Sequence, residues 1–334
     1  MSGLSLPLGG ALDGRKSLTK VRGVRDGEID TVRAFNRVVT QRVGALTDRY
    51  LARDRPLSES RVLWEIGDAG CDVRTLRSRL GLDSGYLSRL LRSLEASGLV
   101  TVVAGERDKR VRTARLTRNG TKERALLDRR SDALARSMIG ALGESHRERL
   151  VAAMAEVEKL LTASMVEIDV IDPDHAQARY CLRRYVAELH ARFDAGFDPG
   201  SSIALTSSEL RLPSGSFLVA TLQGEPVGCG ALRFHGDAAT ELKRMWVAPE
   251  VRGLGVGRRL LGRLESLALE HGGHCIRLET NAALTEAVAL YRSSGYREMA
   301  PFNDEPYADH WFEKRLGVTT RFDQVSYDDP DGKR

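Results

Sequence analysis

The stretch Val251-Arg252-Gly253-Leu254-Gly255-Val256-Gly257-Arg258-Arg259-Leu260-Leu261 decides how the chain is read. Ahead of it, residues 241–247 have the composition of a buried strand, stopped by Ala248-Pro249. Behind it, residues 258–270 carry Leu260, Leu261, Leu264, Leu267 and Leu269 at the spacing of an amphipathic helix. The order is strand, glycine-rich turn, helix. Such a turn aims several backbone N–H groups at one point beside the positive end of a helix dipole, which suits a pyrophosphate. Glycine is expected there because a Cβ would hold a phosphate away from the backbone. A Walker loop would need Gly-Lys-Ser/Thr, which is absent, and a Rossmann turn would follow the first strand of its unit, whereas this one sits late in its half.

Arg252-x-x-Gly255-x-Gly257 resembles the acyl-CoA signature of the GNAT acetyltransferases. The resemblance takes in the preceding strand and the segment Leu290-Tyr291-Arg292-Ser293-Ser294-Gly295-Tyr296, and covers residues 165–318, about half the chain. The residues read in order as a strand at 166–171, a helix at 175–193, and a polar loop at 197–213 able to fold over a substrate. A hairpin at 215–222 and 226–234 follows, then the strand, turn and helix above. A strand at 275–280, a helix ending near Tyr291 and a last strand at 309–316 complete the order β-α-β-β-β-α-β-α-β, which matches the GNAT fold.

Acyl transfer from a thioester to an amine needs a neutral amine, a donor for the tetrahedral oxyanion and a proton for the leaving thiolate. The resemblance implies acetyl-CoA as co-substrate, with the backbone of Met245, Trp246 and Val247 along pantetheine. It places Arg252, Gly253, Leu254, Gly255, Val256, Gly257 and Arg258 at the pyrophosphate. Asn281 matches a contact to the pantetheine arm, and Tyr291 matches the general acid that protonates the thiolate. The base stays open among Glu241, Glu279 and His235, with Glu241 expected in that role. Glu279, Asn303 and Tyr307 are the expected acceptor contacts. The acidic charge of residues 301–311 would suit a cationic amine.

The other half has a different character. The formal charge of +5 divides into +10 over residues 1–164 and −5 over residues 165–334, and most of the N-terminal excess lies between Cys71 and Arg130. A basic stripe is the electrostatic footprint of nucleic-acid binding. Residues 1–27 read as a mobile arm. A helix follows with Val32, Phe35, Val39, Val43, Leu46 and Tyr50 on one side, then a second at 58–66 with Ser58 as its N-cap. Asp72 caps a short helix that ends at Gly81. Residues 82–98 place Leu87, Leu90, Leu91 and Leu94 on one face and Ser84, Tyr86, Ser88, Arg89 and Arg92 on the other. Two short helices around a glycine turn, the second rich in donors, form a helix-turn-helix. Strands at 99–103 and 111–116 bracket the charged tip Gly105-Glu106-Arg107-Asp108-Lys109-Arg110, a wing.

This segment is similar to the MarR family of winged-helix regulators, through residues 84–101 and Asp108-Lys109-Arg110. The resemblance implies that Ser84, Tyr86, Ser88, Arg89 and Arg92 face the major groove of a double-stranded DNA operator. Arg110 would enter the minor groove and Asp108 would orient the wing. Long helices at 117–142 and 144–164 carry apolar stripes that so small a core cannot cover, and MarR relatives pair such helices into a homodimer.

No run of residues is long and apolar enough to span a bilayer, and no signal-peptide pattern opens the chain. Cys71, Cys181, Cys229 and Cys275 are scattered, so no disulfide framework or metal site is expected, and a reducing cytoplasm fits. The expected organisation is two domains, a mostly α winged helix at 28–164 and an α/β GNAT fold with a mixed central sheet at 165–318, plus a tail at 319–334. The expected function is a bifunctional regulator and N-acetyltransferase of a small amine. The alternatives are a regulator whose second domain only senses an acyl-CoA or metabolite, and a protein acetyltransferase.

Overall fold

The computed structural model describes residues 24–44, 51, 55–104, 111–236 and 239–317. Most of the expected arm, the C-terminal tail and the wing tip with Asp108 and Arg110 lie outside the described residues.

The N-terminal half is helical around a small sheet. Helix α1 is Asp26–Arg42, and α2 is Leu57–Ile66. Ser58 does not cap α2; the helix starts one residue earlier behind Pro56, which makes no side-chain cap. Strand β1 (Cys71–Asp72) leads into α3 (Val73–Leu80), and the Asp72 carboxylate accepts from the N–H groups of Arg74 and Thr75 as expected. Helix α4 (Ser84–Ala96) follows, with Leu87, Leu90, Leu91 and Leu94 buried. Strands β2 (Val100–Ala104) and β3 (Arg112–Leu116) are antiparallel, and the sheet order is β1-β3-β2. These helices close on Val62, Leu63, Ile66, Leu76 and Leu127, a core of aliphatic side chains. Helices α5 (Arg118–Gly140) and α6 (Glu144–Ser164) run on from it. Neither α1 nor α6 buries a residue, and Val32, Phe35, Val38, Met154, Leu160 and Leu161 are exposed. Among the described residues, therefore, nothing in the same chain buries these side chains, whereas Leu127 of α5 is in the core and Leu46 and Tyr50 of the expected first stripe lie outside the described residues.

The C-terminal half is a mixed sheet of seven strands in the order β4-β5-β6-β7-β8-β10-β9. Strand β4 is Val166–Val170, α7 is Ala176–Arg192, β5 is Gly215–Leu222 and β6 is Glu225–Arg233. Then come β7 (Thr240–Val247), α8 (Val256–Glu270), β8 (Cys275–Thr280), α9 (Thr285–Ser293), β9 (Arg297–Met299) and β10 (His310–Arg315). The short β9 was not expected; it is a three-residue edge paired with β10, too brief to leave a period in the sequence. Helix α8 lies on one face through Leu260, Leu261, Leu264 and Leu267. Helix α7 covers the other face, through Ala178 and Cys181 packed with Phe217, Val219 and Cys229.

Two irregularities in β7 position the site. It is parallel to β8 but pairs with it only at Thr240 and Glu241, so the strands part beyond Glu241. On its other edge, Cys229 opposes Trp246 while Ala231 opposes Lys243, so β7 carries one residue more than β6 between those rungs. That bulge places Arg244 at φ 56°, a left-handed conformation that costs a non-glycine residue about 1–3 kcal/mol. Such strain is tolerated where the surrounding sheet enforces it, and it concentrates at functional sites.

Candidate active site and nucleic-acid interface

The parting of β7 and β8 opens a cleft of about 430 Å³ on the side of α8. Met245, Trp246, Val247, Arg252, Gly253, Gly255, Val256, Gly257 and Arg258 line it, with Glu188 and Arg192 from α7. Leu254, expected in the same group, packs instead against the core beneath α7. Gly255 stands at the N-cap of the fifteen-residue α8 with φ 76°, and Gly253 has φ 78°. A Cβ built on either glycine meets nothing within 4 Å. Glycine is thus needed here for its left-handed backbone, and open space lies in front of the helix N-terminus. Crowding governs only Gly257, whose Cβ would sit 3.3 Å from Leu290.

Arg252 is committed within the protein. Its Nη2 donates to both Glu188 oxygens at 2.6 Å and to the Val247 carbonyl at 3.0 Å. Glu188 also accepts from Trp246 Nε1 at 2.8 Å and from Arg192 at 3.3 Å. The arginine therefore ties the turn to α7 and to the end of β7. Burial would raise the Glu188 carboxyl, but the hydrogen bonds from Arg252 and Trp246 outweigh it and hold the group below its ordinary value. A carboxyl depressed in the folded state stabilises the fold above its unfolded value of 4.5 and loses that contribution as pH falls through the folded value. Glu188→Gln should therefore lower the melting temperature at neutral pH and shrink the further loss below pH 4.5. Melting curves against pH check this, and parallel curves for the two proteins would contradict it.

A second, smaller cavity of about 90 Å³ continues beyond the bulge. Tyr185 and Met245 line both spaces, and Tyr291, Asn281, Lys243, Arg244 and Glu279 line the smaller one. Tyr291 is 4% exposed, and among the described residues its hydroxyl makes no hydrogen bond. Burial, with Tyr185 and Glu279 nearby, raises its pKa, so the phenol keeps its proton at neutral pH. Tyr185, half-buried on the wall shared by both cavities, is pushed up to about 12 by burial.

Asn281 does not face the larger cleft. Its Nδ2 donates to the Tyr307 carbonyl at 2.8 Å and its Oδ1 accepts from the Ala283 N–H at 2.9 Å, so both ends of the amide hold the loop. Glu241 lies behind the cavity wall, 3.4 Å from His235 and 3.5 Å from Lys243. Glu279 is on the wall, and its Oε1 accepts from Lys243 Nζ at 2.6 Å. Asn303 donates to Glu279 at 3.4 Å and accepts from Trp311 Nε1 at 2.8 Å. Tyr307 stacks on Phe193 and lies tilted against Phe197, with centroids 5.8 and 4.8 Å away, and its hydroxyl accepts from the Asp198 N–H at 3.0 Å.

The carboxylates of residues 301–311 do not form the cation trap that their count suggests. Glu305 accepts from Ser202 Oγ and the Ile203 N–H, both at 2.9 Å, and Asp309 accepts from the Ala282 N–H at 2.8 Å. Asp304 is exposed and off the wall. Main-chain partners of this kind leave no spacing pattern in a sequence. Nor did the sequence mark Arg244, whose place on the wall follows from the bulge.

On the winged helix, Ser84, Arg89 and Arg92 are exposed and Tyr86 and Ser88 half-buried on one face of α4. The Arg89 guanidinium lies 5.5 Å from the centre of the Tyr86 ring, and Arg92 Nε donates to the Ser88 carbonyl at 3.3 Å. Among the described residues neither arginine has a carboxylate partner, so the face carries net positive charge. Among those residues, too, no group of three metal-ligating side chains is found, and no helix is long and apolar enough to cross a membrane.

Comparison with known proteins agrees with this geometry. The model of the acetyltransferase (GNAT) family matches residues 182–296. An IAA acetyltransferase of Azospirillum brasilense is 37% identical over 127 residues, which cover 38% of this chain and 77% of that protein. The chain belongs to the GNAT acetyltransferase family. The model of the MarR family matches residues 54–111, so a MarR domain precedes the GNAT acetyltransferase domain. An N-acetyltransferase of Escherichia coli, YjgM, is 28% identical over 35% of this chain and 75% of its own length. A solved acyl-CoA N-acyltransferase from Klebsiella pneumoniae is similar at 29% identity over 46% of this chain and 99% of that one, with a TM-score of 0.37. Streptococcus pneumoniae FabT in complex with DNA is similar at 23% identity over 40% and 94%, with a TM-score of 0.33.

Proposed function

We propose that the chain is a dimeric DNA-binding regulator joined to an acetyl-CoA-dependent N-acetyltransferase of a small amine. One observation carries the enzymatic reading: the large and small cavities meet at the β7 bulge, with the buried Tyr291 phenol on the wall of the small one. The α8 N-terminus and the left-handed turn at Gly253 and Gly255 suit the coenzyme's pyrophosphate, and Arg258 adds positive charge beside them, whereas Arg192 and Arg252 are paired with Glu188 and Glu286. The pantetheine arm would lie along β7 from Met245 to Val247, where β8 no longer pairs.

In the reaction, the amine nitrogen attacks the thioester carbonyl, a C–N bond forms, the C–S bond breaks, and the amine proton leaves. A main-chain N–H of β7 beside the bulge would receive the oxyanion. Glu279, on the wall and paired with Lys243, is better placed than Glu241 to take the amine proton, directly or through water. Tyr291 supplies the hydrogen bond, and finally the proton, to the departing sulfur. Its raised pKa makes that transfer unfavourable in the empty site, so it must be driven by the charge that develops on the amine.

The small volume of the second cavity favours a compact acceptor over an extended peptide. Thiol release from acetyl-CoA across a panel of small amines tests the reading. Release that depends on one amine supports an enzyme, whereas calorimetric acetyl-CoA binding with no release from any amine would support a sensor.

For the regulator, the exposed apolar faces of α1 and α6 fit a second copy of the chain better than the same chain's GNAT domain, which leaves them uncovered. Sedimentation of the full chain would return twice the monomer mass. On α4, Arg89→Ala should weaken binding to the protein's own upstream DNA by about 1–3 kcal/mol, as expected for a base-edge arginine. Fluorescence anisotropy checks this, and an unchanged affinity would remove α4 from the groove.

A further inference from the structure

The wall of the small cavity carries three cations, Arg233, Lys243 and Arg244. Two are neutralised by neighbouring carboxylates. Arg233 lies 2.6 Å from Glu209 and 3.8 Å from Glu241, and Lys243 lies 2.6 Å from Glu279 and 3.5 Å from Glu241. The two acids on the wall are likewise engaged, Glu279 by Lys243 and Glu305 by the main chain and hydroxyl of the 202–203 turn. Arg244 is the exception. Among the described residues no carboxylate lies within ion-pair distance of it, and its guanidinium carbon sits 5.7 Å from the centre of the Tyr185 ring. The strained φ of 56° belongs to this same residue, so the bulge that opens the β7 main chain also delivers a fixed cation to the wall.

An arginine that is half-buried, stacked on an aromatic ring and short of an anionic partner is suited to a bidentate carboxylate. Apart from Ser202, Thr280 and Asn281, the rest of the wall is aliphatic and aromatic, with Phe193, Phe197 and Tyr307 in mutual contact beside Leu189. We propose that the acceptor carries a carboxylate as well as its amine, with Arg244 binding that carboxylate. The acceptor is then a compact amino acid with an apolar side chain, held by its carboxylate rather than as a cationic amine drawn to the acidic segment 301–311. This rests on the acetyltransferase reading above and deepens it.

The test uses matched pairs that differ only by the carboxylate: alanine and ethylamine, valine and isobutylamine, leucine and isoamylamine, phenylalanine and phenethylamine. Each is run with acetyl-CoA against the full-length chain, Arg244→Gln and Arg244→Lys. In at least one pair the amino acid should exceed its decarboxylated partner in kcat/KM by about ten- to a hundredfold, the range of a charge-assisted hydrogen-bonded pair. Arg244→Gln should abolish that preference by raising KM for the amino acid at least about tenfold more than for its plain amine, with the KM for acetyl-CoA within a fewfold of wild type, and Arg244→Lys should restore part of it. A wild-type preference for the plain amines, or an equal loss on both members in Arg244→Gln, would overturn the proposal.

Calorimetry separates this outcome from failure of the enzymatic reading. With CoA present, the N-acetyl amino acids should bind more tightly than their uncharged amides, and that difference should vanish in Arg244→Gln. If no pair releases thiol but this difference is seen, the catalytic reading fails and the carboxylate site stands. If the acids and amides bind alike, the carboxylate site is refuted whatever the thiol assay shows.

Discussion

Tyr291→Phe is expected to lower kcat by about 10²–10⁴-fold, the contribution of a positioned general acid, while acetyl-CoA affinity stays within a fewfold of wild type. The ring is 4% exposed and packs against Tyr296 and Phe312, with centroids 5.7 and 6.0 Å away, and phenylalanine preserves those contacts. Among the described residues the hydroxyl bonds to nothing, so its removal orphans no partner and should leave the melting temperature unchanged or slightly raised. The residue lies on the wall of the small cavity and not among those lining the larger cleft, which is why binding and turnover should separate. Steady-state kinetics alongside calorimetry read both. A fall in affinity equal to the fall in kcat would mean that the phenol binds the coenzyme and does not serve its leaving group.

Gly255→Val should raise the dissociation constant for acetyl-CoA by roughly ten- to a hundredfold. A β-branched residue at φ 76° either carries about 1–3 kcal/mol of strain or rotates the turn, and rotation turns the N–H groups at the start of α8 away from the phosphates. Because a Cβ there meets nothing within 4 Å, the defect should stay in the loop, with far-ultraviolet circular dichroism unchanged. Gly255→Ala, which is strained but smaller, should fall between. The melting temperature shift produced by saturating acetyl-CoA offers a second readout, shrinking in the same order. Wild-type affinity in Gly255→Val would remove the turn from the pyrophosphate site.

Much of the molecule is legible in the sequence alone. The apolar spacing of Leu87, Leu90, Leu91 and Leu94 declared the buried face of α4, and those four side chains are buried. Asp72 ahead of α3 and Gly98 behind α4, at φ 66°, are local devices whose chemistry lies within a few residues of chain. The turn at 252–257 is legible for the same reason: strand, left-handed glycines and helix are consecutive, and a site made of consecutive backbone leaves a motif. Ser58 shows the limit of local reading, since Pro56 starts α2 earlier and leaves the hydroxyl without a capping role.

By itself the sequence determined what contiguous residues can do: an amphipathic winged helix with a basic face, and a strand, glycine turn and helix able to hold a pyrophosphate. The tertiary structure decided everything that depends on which distant residues meet. It drew Arg252 onto Glu188, 64 residues away, and so gave the motif arginine a tether within the protein. It engaged Glu305 with Ser202 across 103 positions, which turned an acidic segment into a loop anchor. It placed Glu241 behind the wall and Glu279 on it, and among the described residues it left Arg244 without a counter-charge. Charge is written in the sequence, but charge compensation is not. It acts over a few ångströms of space, and residues that far apart along the chain are brought within that range only by the packed sheet.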